Sequence, residues 1–159
     1  MRGLLGELAT GSNGETMTIT DMEASIEHMS RGTIRHVDAM LMVTEPYFRS
    51  LETVGRMAPL AQELGIAHVW AVANKVRSAR DEEIIRSYCA DRGVEVGAVV
   101  PWDEAIQEAD REGLALMDYA PAAPAVASVE GIADLLEREM AGSGGNGSSD
   151  GGNGRGDQS

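Results

Sequence analysis

The sequence predicts an α/β fold built on a parallel sheet with flanking helices. Three observations carry this. Short apolar runs alternate with helical stretches between residues 37 and 140, the order that βαβ units produce. The runs at 37–43 (VDAMLMV), 67–73 (AHVWAVA) and 94–100 (VEVGAVV) are apolar almost throughout, as strands covered on both faces are. Each run is followed by a distinctive polar or proline-containing group: Glu45-Pro46, Asn74-Lys75 and Pro101-Trp102-Asp103. In open α/β sheets ligands bind beyond these carboxyl ends.

The elements follow in order. Residues 17–20 (MTIT) alternate apolar and polar and end at Asp21, which suggests a short strand. A helical stretch is expected over 24–35. After the strand at 37–43, Ser50 is suited to cap a helix running to Leu64, with Leu51, Val54, Ala58 and Ala61 on one face. Pro59 lies inside that helix and should kink it, and Gly65 should stop it. The strand at 67–73 leads to a helix over 80–91, stopped by Gly93. The strand at 94–100 leads to helices over 104–117 and 128–140. From Ala141 onward the chain is Gly, Ser, Asn and Asp with almost nothing apolar. Such a segment cannot bury enough surface to offset chain entropy. The expected division is therefore a folded body at 1–140 and a disordered tail at 141–159. Arg155-Gly156-Asp157 within the tail is read as chance.

Composition excludes several functions. Thirteen Lys and Arg against 26 Asp and Glu leave a formal net charge of -13. A chain this acidic repels phosphodiester backbones and anionic membrane surfaces, so neither nucleic acid nor membrane is an expected partner. No apolar run reaches the length of a membrane span. Cys89 is the only cysteine, so no internal disulfide forms. It stands at helical spacing from Ile85 and reads as a buried small hydrophobe. A cytoplasmic location is expected. No Ser/His/Asp order, Cys/His pair or metal-ligand spacing stands out.

Singly, the strand-terminal residues are weak signals. Asp21 after an apolar run suits a Mg²⁺ site, since a hard cation takes a carboxylate, often through water. It equally suits the N-cap of the following helix. Asn74 offers a donor and an acceptor to a purine edge, and the Lys75 stem can lie over a ring. The same pair also makes an ordinary solvated turn. Pro101-Trp102 can wall a base pocket or simply turn the chain.

Together they are more specific. The segment from Asp21 through Glu23, Ala24, Ile26, Glu27, His28, Arg31, Gly32 and Thr33 resembles the second switch region of MinD/ParA-type P-loop ATPases. More narrowly it is similar to the accessory ATPases that help insert nickel into carbon monoxide dehydrogenase, whose pattern is close to D-x-E-A-G-I-E-H-x-x-R-G-T. The likeness continues through Val43-Thr44-Glu45-Pro46, Ser50-Leu51 and Ala73-Asn74-Lys75-Val76. It then runs through Val100-Pro101-Trp102-Asp103-Glu104-Ala105, Ala109-Asp110 and Gly113. The resemblance implies that Asp21 sits near Mg²⁺, that Asn74 meets adenine, with Lys75 beside it, and that Pro101 and Trp102 line the base pocket. It implies ATP or ADP with Mg²⁺ as cofactor, and a homodimer controlled by nucleotide.

Two family features are not found. The sequence contains no Gly-Lys-Ser/Thr, so the loop whose backbone N–H groups surround phosphates is absent. So is the Cys-x-Cys metal motif. Ser25 replaces the family glycine at a position that moves when the γ-phosphate is sensed. His28 reads as a capping or surface residue rather than a ligand. The expectation is an incomplete P-loop NTPase domain: a truncated or split ATP-binding protein that does not hydrolyse ATP unaided. A complementing N-terminal chain would supply the loop, and a metalloenzyme is the implied client. The alternative is a non-catalytic interaction module that keeps the dimerisation surface of the fold.

Overall fold

The structure is a computed structural model and describes residues 17–22 and 37–143. Its centre is a three-stranded sheet in the order β1-β2-β3, formed by Ala39–Thr44 (β1), His68–Val76 (β2) and Glu95–Pro101 (β3). Both pairings are parallel. Parallel neighbours need a crossover, here provided by Phe48–Glu63 (α1) and Ala79–Ala90 (α2). After β3 come Glu104–Glu112 (α3), the single turn Leu116–Tyr119 (α4) and the long helix Pro124–Ser143 (α5).

Both faces of the sheet are covered. On one, Ala71 and Ala73 of β2 pack with Leu51, Val54, Ala58 and Ala61 of α1 and with Ile85 and Cys89 of α2. Alanines on both sides of this contact let helix and sheet approach closely, so Leu, Val and Ile need only fill the margins. On the other face, Val72 and Val100 pack with Ala125 of α5, flanked by Leu41, Ala98, Leu116 and Ile132. Successive residues of β2 thus serve opposite cores, which is why the strand shows no polar alternation.

α1 and α2 end in the same way. Gly65 adopts φ 70° and Gly93 φ 68°, a left-handed conformation that side chains resist. The Ile66 N–H then donates back to the Ala61 carbonyl at 3.1 Å, and the Val94 N–H to the Cys89 carbonyl at 3.0 Å. Each returning residue is apolar and buried, so the turn that closes a helix also delivers the first core residue before the next strand.

Several expectations are corrected. Residues 17–22 join no strand and are exposed. Alternation over four residues is insufficient where no neighbouring strand among the described residues accepts the backbone bonds. The helix expected at 24–35, with Ser25, Glu27 and His28, lies outside the described residues. Ser50 does not cap α1. The N-cap is Tyr47, without a side-chain cap bond, and Ser50 lies one turn in. α1 runs through Pro59, whose ring faces solvent. The helix expected over 104–117 breaks at Gly113, with φ 67°. α5 begins at Pro124 rather than Ser128 and runs to Ser143 rather than stopping at 140. Proline at a first helical position has its φ preset.

Two irregularities shape the sheet. Ala71 pairs with Val96, but Val72 pairs with Ala98, so Gly97 is an extra residue on β3. Ala73 pairs with Val99 and Val76 with Pro101, so Asn74 and Lys75 together oppose Val100. The second bulge restores the register that the first shifted. Gly97 is required at its position. A Cβ there would lie 2.9 Å from Leu135 Cδ2 and 3.1 Å from Trp70 Cβ.

Two tests follow from the packing. Gly97→Val should lower the unfolding free energy by about 1–3 kcal/mol through overpacking, read as a lower urea midpoint. Burial pushes the Cys89 thiol above its ordinary 9.0, and the Arg92 guanidinium partly opposes this. The folded state therefore favours the neutral thiol. That contribution is fully present below the unfolded-state value and is lost as pH rises through the higher folded-state value. An aromatic disulfide reagent should leave Cys89 unlabelled in native buffer and label it fully in urea. The stability lost between pH 8 and pH 10, followed by urea titration, should be smaller in Cys89→Ala.

Candidate functional site

The parallel arrangement brings the three carboxyl ends to one edge of the sheet. β1 ends at Thr44, which is fully buried. A buried hydroxyl needs a partner, and Ser50 supplies it with its own hydroxyl at 3.1 Å. The Glu45 N–H also donates to Ser50 Oγ at 2.9 Å. Ser50 thus ties the strand end to the first turn of α1, a role that the local pattern disguised as capping.

Asn74 and Lys75 do not follow β2, as their polarity suggested; they form the bulge inside its last turn of pairing. Lys75 has φ 55° and is the single non-glycine residue with positive φ among the described residues. Such a backbone costs about 1 kcal/mol or more. Two contacts hold it. The Lys75 N–H donates to Asn74 Oδ1 at 3.0 Å, and Lys75 Nζ pairs with Glu45 Oε1 at 2.7 Å. The ion pair bridges the ends of β1 and β2 and is half-exposed, so it contributes modestly. That bond engages Oδ1 and leaves the NH₂ donors of the half-buried Asn74 amide unused by it.

The end of β3 is locked to β2. Pro101 pairs with Val76, and the Trp102 N–H donates to the Val76 carbonyl at 2.8 Å. The Arg77 guanidinium carbon lies 3.7 Å from the Trp102 ring centroid. Asp103 then caps two helices at once. One carboxylate oxygen accepts from the Ala105 N–H at 3.0 Å, and the other from the Ala125 N–H at 3.4 Å. A carboxylate between two helix N-termini also complements both dipoles. Sequence reading missed Arg77 as part of the site and named Asp103 only within the group that ends β3. Asp followed by Glu was a legible cap signal for α3, but the second N–H it accepts from, that of Ala125, lies 22 residues away.

Four predicted site residues, Asn74, Lys75, Pro101 and Trp102, therefore stand together at the ends of β2 and β3. Asp21 is not gathered with them by the sheet, since its segment pairs with none of the three strands. Among the described residues no three His, Cys, Asp or Glu side chains cluster as a metal site. No helix among them is long and apolar enough to cross a membrane.

No protein-family model matches the chain. Carbon monoxide dehydrogenase accessory protein CooC of Rhodospirillum rubrum is 43% identical over 120 residues, covering 76% of this chain and 44% of that protein. An uncharacterized ATP-binding protein of Methanocaldococcus jannaschii is 44% identical over 93 residues, covering 58% of this chain and 36% of that protein. Among solved structures, the cell division ATPase MinD of Pyrococcus furiosus superposes with a TM-score of 0.55 at 25% identity, covering 68% of this chain and 46% of that one.

In sequence and fold the chain resembles the MinD/ParA-type ATPases.

The septum site-determining protein MinD of Pyrococcus horikoshii, solved with Mg-ADP, has the same fold at a TM-score of 0.61 and 19% identity, covering 92% of this chain and 60% of that one. The chain spans less than half the length of the two curated relatives above. Its described strands are those of a MinD/ParA-type sheet, and their carboxyl ends carry the Asn74-Lys75 and Pro101-Trp102-Asp103 groups.

The double cap is open to test. Asp103→Ala should destabilise the protein by about 1–2 kcal/mol by orphaning two helix-terminal N–H groups. Asp103→Asn should recover part of the loss, read by urea titration.

Proposed function

We propose that this chain forms the base-recognition side of an adenine-nucleotide cleft in an ATPase related to the carbon monoxide dehydrogenase accessory proteins. One observation carries the reading. The left-handed bulge at Lys75 binds Asn74 Oδ1 to the Lys75 N–H beside the strand end that holds Pro101 and Trp102. An amide whose NH₂ that bond does not use, next to a ring-lined strand end, suits a purine, whose N7 is an acceptor. Asn74 would read the base edge. Pro101 and Trp102 would wall the pocket, and Lys75, fixed by Glu45, would hold the amide in place.

The remaining parts of the reading extend from this. Phosphates would be gripped by a glycine-rich loop outside this sequence, in a longer polypeptide or a complementing chain, and two such subunits would pair around nucleotide. Asp21, exposed in this structure, is a carboxylate free to hold Mg²⁺ through water. When bound, Mg²⁺ would neutralise phosphate charge. The client would be a metalloenzyme that receives nickel, and the setting cytoplasmic.

A second reading, a non-catalytic interaction module, draws on Ile106, Leu114, Met117 and Tyr119, large apolar side chains exposed around α3 and α4. Nucleotide titration separates the two. With the 159-residue chain, calorimetry should detect Mg-ADP binding and weaker Mg-GDP binding. Asn74→Ala should reduce ADP affinity about tenfold, the loss of one well-placed base contact. Unaltered affinity in Asn74→Ala would remove Asn74 from the site, and no adenine-nucleotide binding at all would favour the interaction module.

A further inference from the structure

We propose that Arg77 tunes the affinity of this site: its guanidinium covers the Trp102 ring while the site is empty and yields that ring face to an incoming purine. This rests on the base-site reading above and adds a residue and an exchange that the reading does not contain.

The platform is fixed. Trp102 is held by its N–H to the Val76 carbonyl at 2.8 Å, follows Pro101 in the sheet pairing, and precedes Asp103, whose carboxylate binds two helix N-termini. The Trp102 backbone therefore cannot move far without disturbing β3, α3 and α5 together, which fixes where the indole starts. The root of the cover is fixed as well. The Arg77 N–H donates to Asp81 Oδ2 at 3.0 Å, and the Asp81 N–H donates to Ser78 Oγ at 3.2 Å. This is the cap of α2, and it sets where the Arg77 side chain starts.

The cover itself is loosely held. At 3.7 Å from the ring centroid the guanidinium occupies a full stacking position, so a base cannot share that face. Among the described residues no carboxylate pairs with the Arg77 guanidinium, and the side chain is exposed. Its one recorded side-chain attachment is the cation–π contact. An exposed contact of that kind shifts an equilibrium only about two- to fivefold. A base stacked on an aromatic ring shifts it about five- to hundredfold. The purine therefore displaces the guanidinium. The displacement lowers the apparent affinity of every stacking ligand by the strength of the cover. The cost is the same for every stacking ligand, so it sets how tightly the site holds a base and leaves the preference among bases to the stacking itself.

Trp102 and Trp70 are the two tryptophans, and Trp70 is buried, so acrylamide quenching reports mainly on Trp102. Adenosine is the probe, since it presents the base without phosphates. In the absence of ligand, Arg77→Ala should raise acrylamide quenching of the half-buried Trp102 indole, and Trp102→Phe should abolish the increase. Adenosine should bind Arg77→Ala about two- to fivefold more tightly than wild type, with Arg77→Lys between them. The advantage of adenosine over cytidine should be the same in Arg77→Ala as in wild type, since the cover costs both ligands equally. Equal or weaker adenosine binding by Arg77→Ala overturns the exchange and leaves the base site standing. Failure of wild type and both Arg77 variants to bind adenosine removes the base site and the exchange together.

Discussion

The parallel ladder of β2 between β1 and β3 is the constraint on which everything else depends. Parallel pairing fixes three carboxyl ends on one edge, and both crossovers must therefore return the chain to the opposite edge. That geometry leaves α1 and α2 on one face and α5 on the other. It also makes β2 an unusual strand, apolar on both sides until its last residues. Where its core obligations end, the pairing loosens into a bulge and polar chemistry begins. The candidate site is thus not an addition to the sheet but the point where the sheet stops being regular.

Local electrostatics at that point run against the whole. The chain carries a formal net charge of -13, which repels nucleotides as it repels nucleic acid. Yet the strand ends present Lys75 and Arg77 close together. Lys75 is matched by Glu45, and Arg77 rests on an aromatic face. Both cations are partly spoken for, so the site offers directional donors rather than a strong positive field. Such a set of donors suits the proposed reading of a base edge better than a grip on phosphates. Asp103 shows the same economy in reverse. Its charge is consumed by two helix termini, and it serves the site by holding Trp102 in place.

Much of the fold was legible in the sequence. Three continuous apolar runs identified the strands, and their lack of alternation identified a sheet covered on both faces. Gly65 and Gly93 marked where helices end, because a left-handed turn tolerates little else. Errors fell where a partner from elsewhere decided the outcome. Ser50 looked like a cap, but a buried Thr44 hydroxyl claimed it. Pro124 was passed over as a helix start because its cap, Asp103, arrives from another element. Residues 17–20 had the alternation of a strand, but no neighbour among the described residues pairs with them.

By itself the sequence determined the element order, the acidity, the residue types at the strand ends and the likeness to MinD/ParA-type ATPases. Periodicity and composition are local properties, and motif spacing survives without coordinates. Only the tertiary structure decided that Asn74 and Lys75 lie within a bulge, that Glu45 reaches Lys75, that Arg77 covers Trp102 and that one carboxylate serves two helices. Each of these joins residues on different elements. Such contacts depend on sheet register and helix placement, and a one-residue shift in either would undo them.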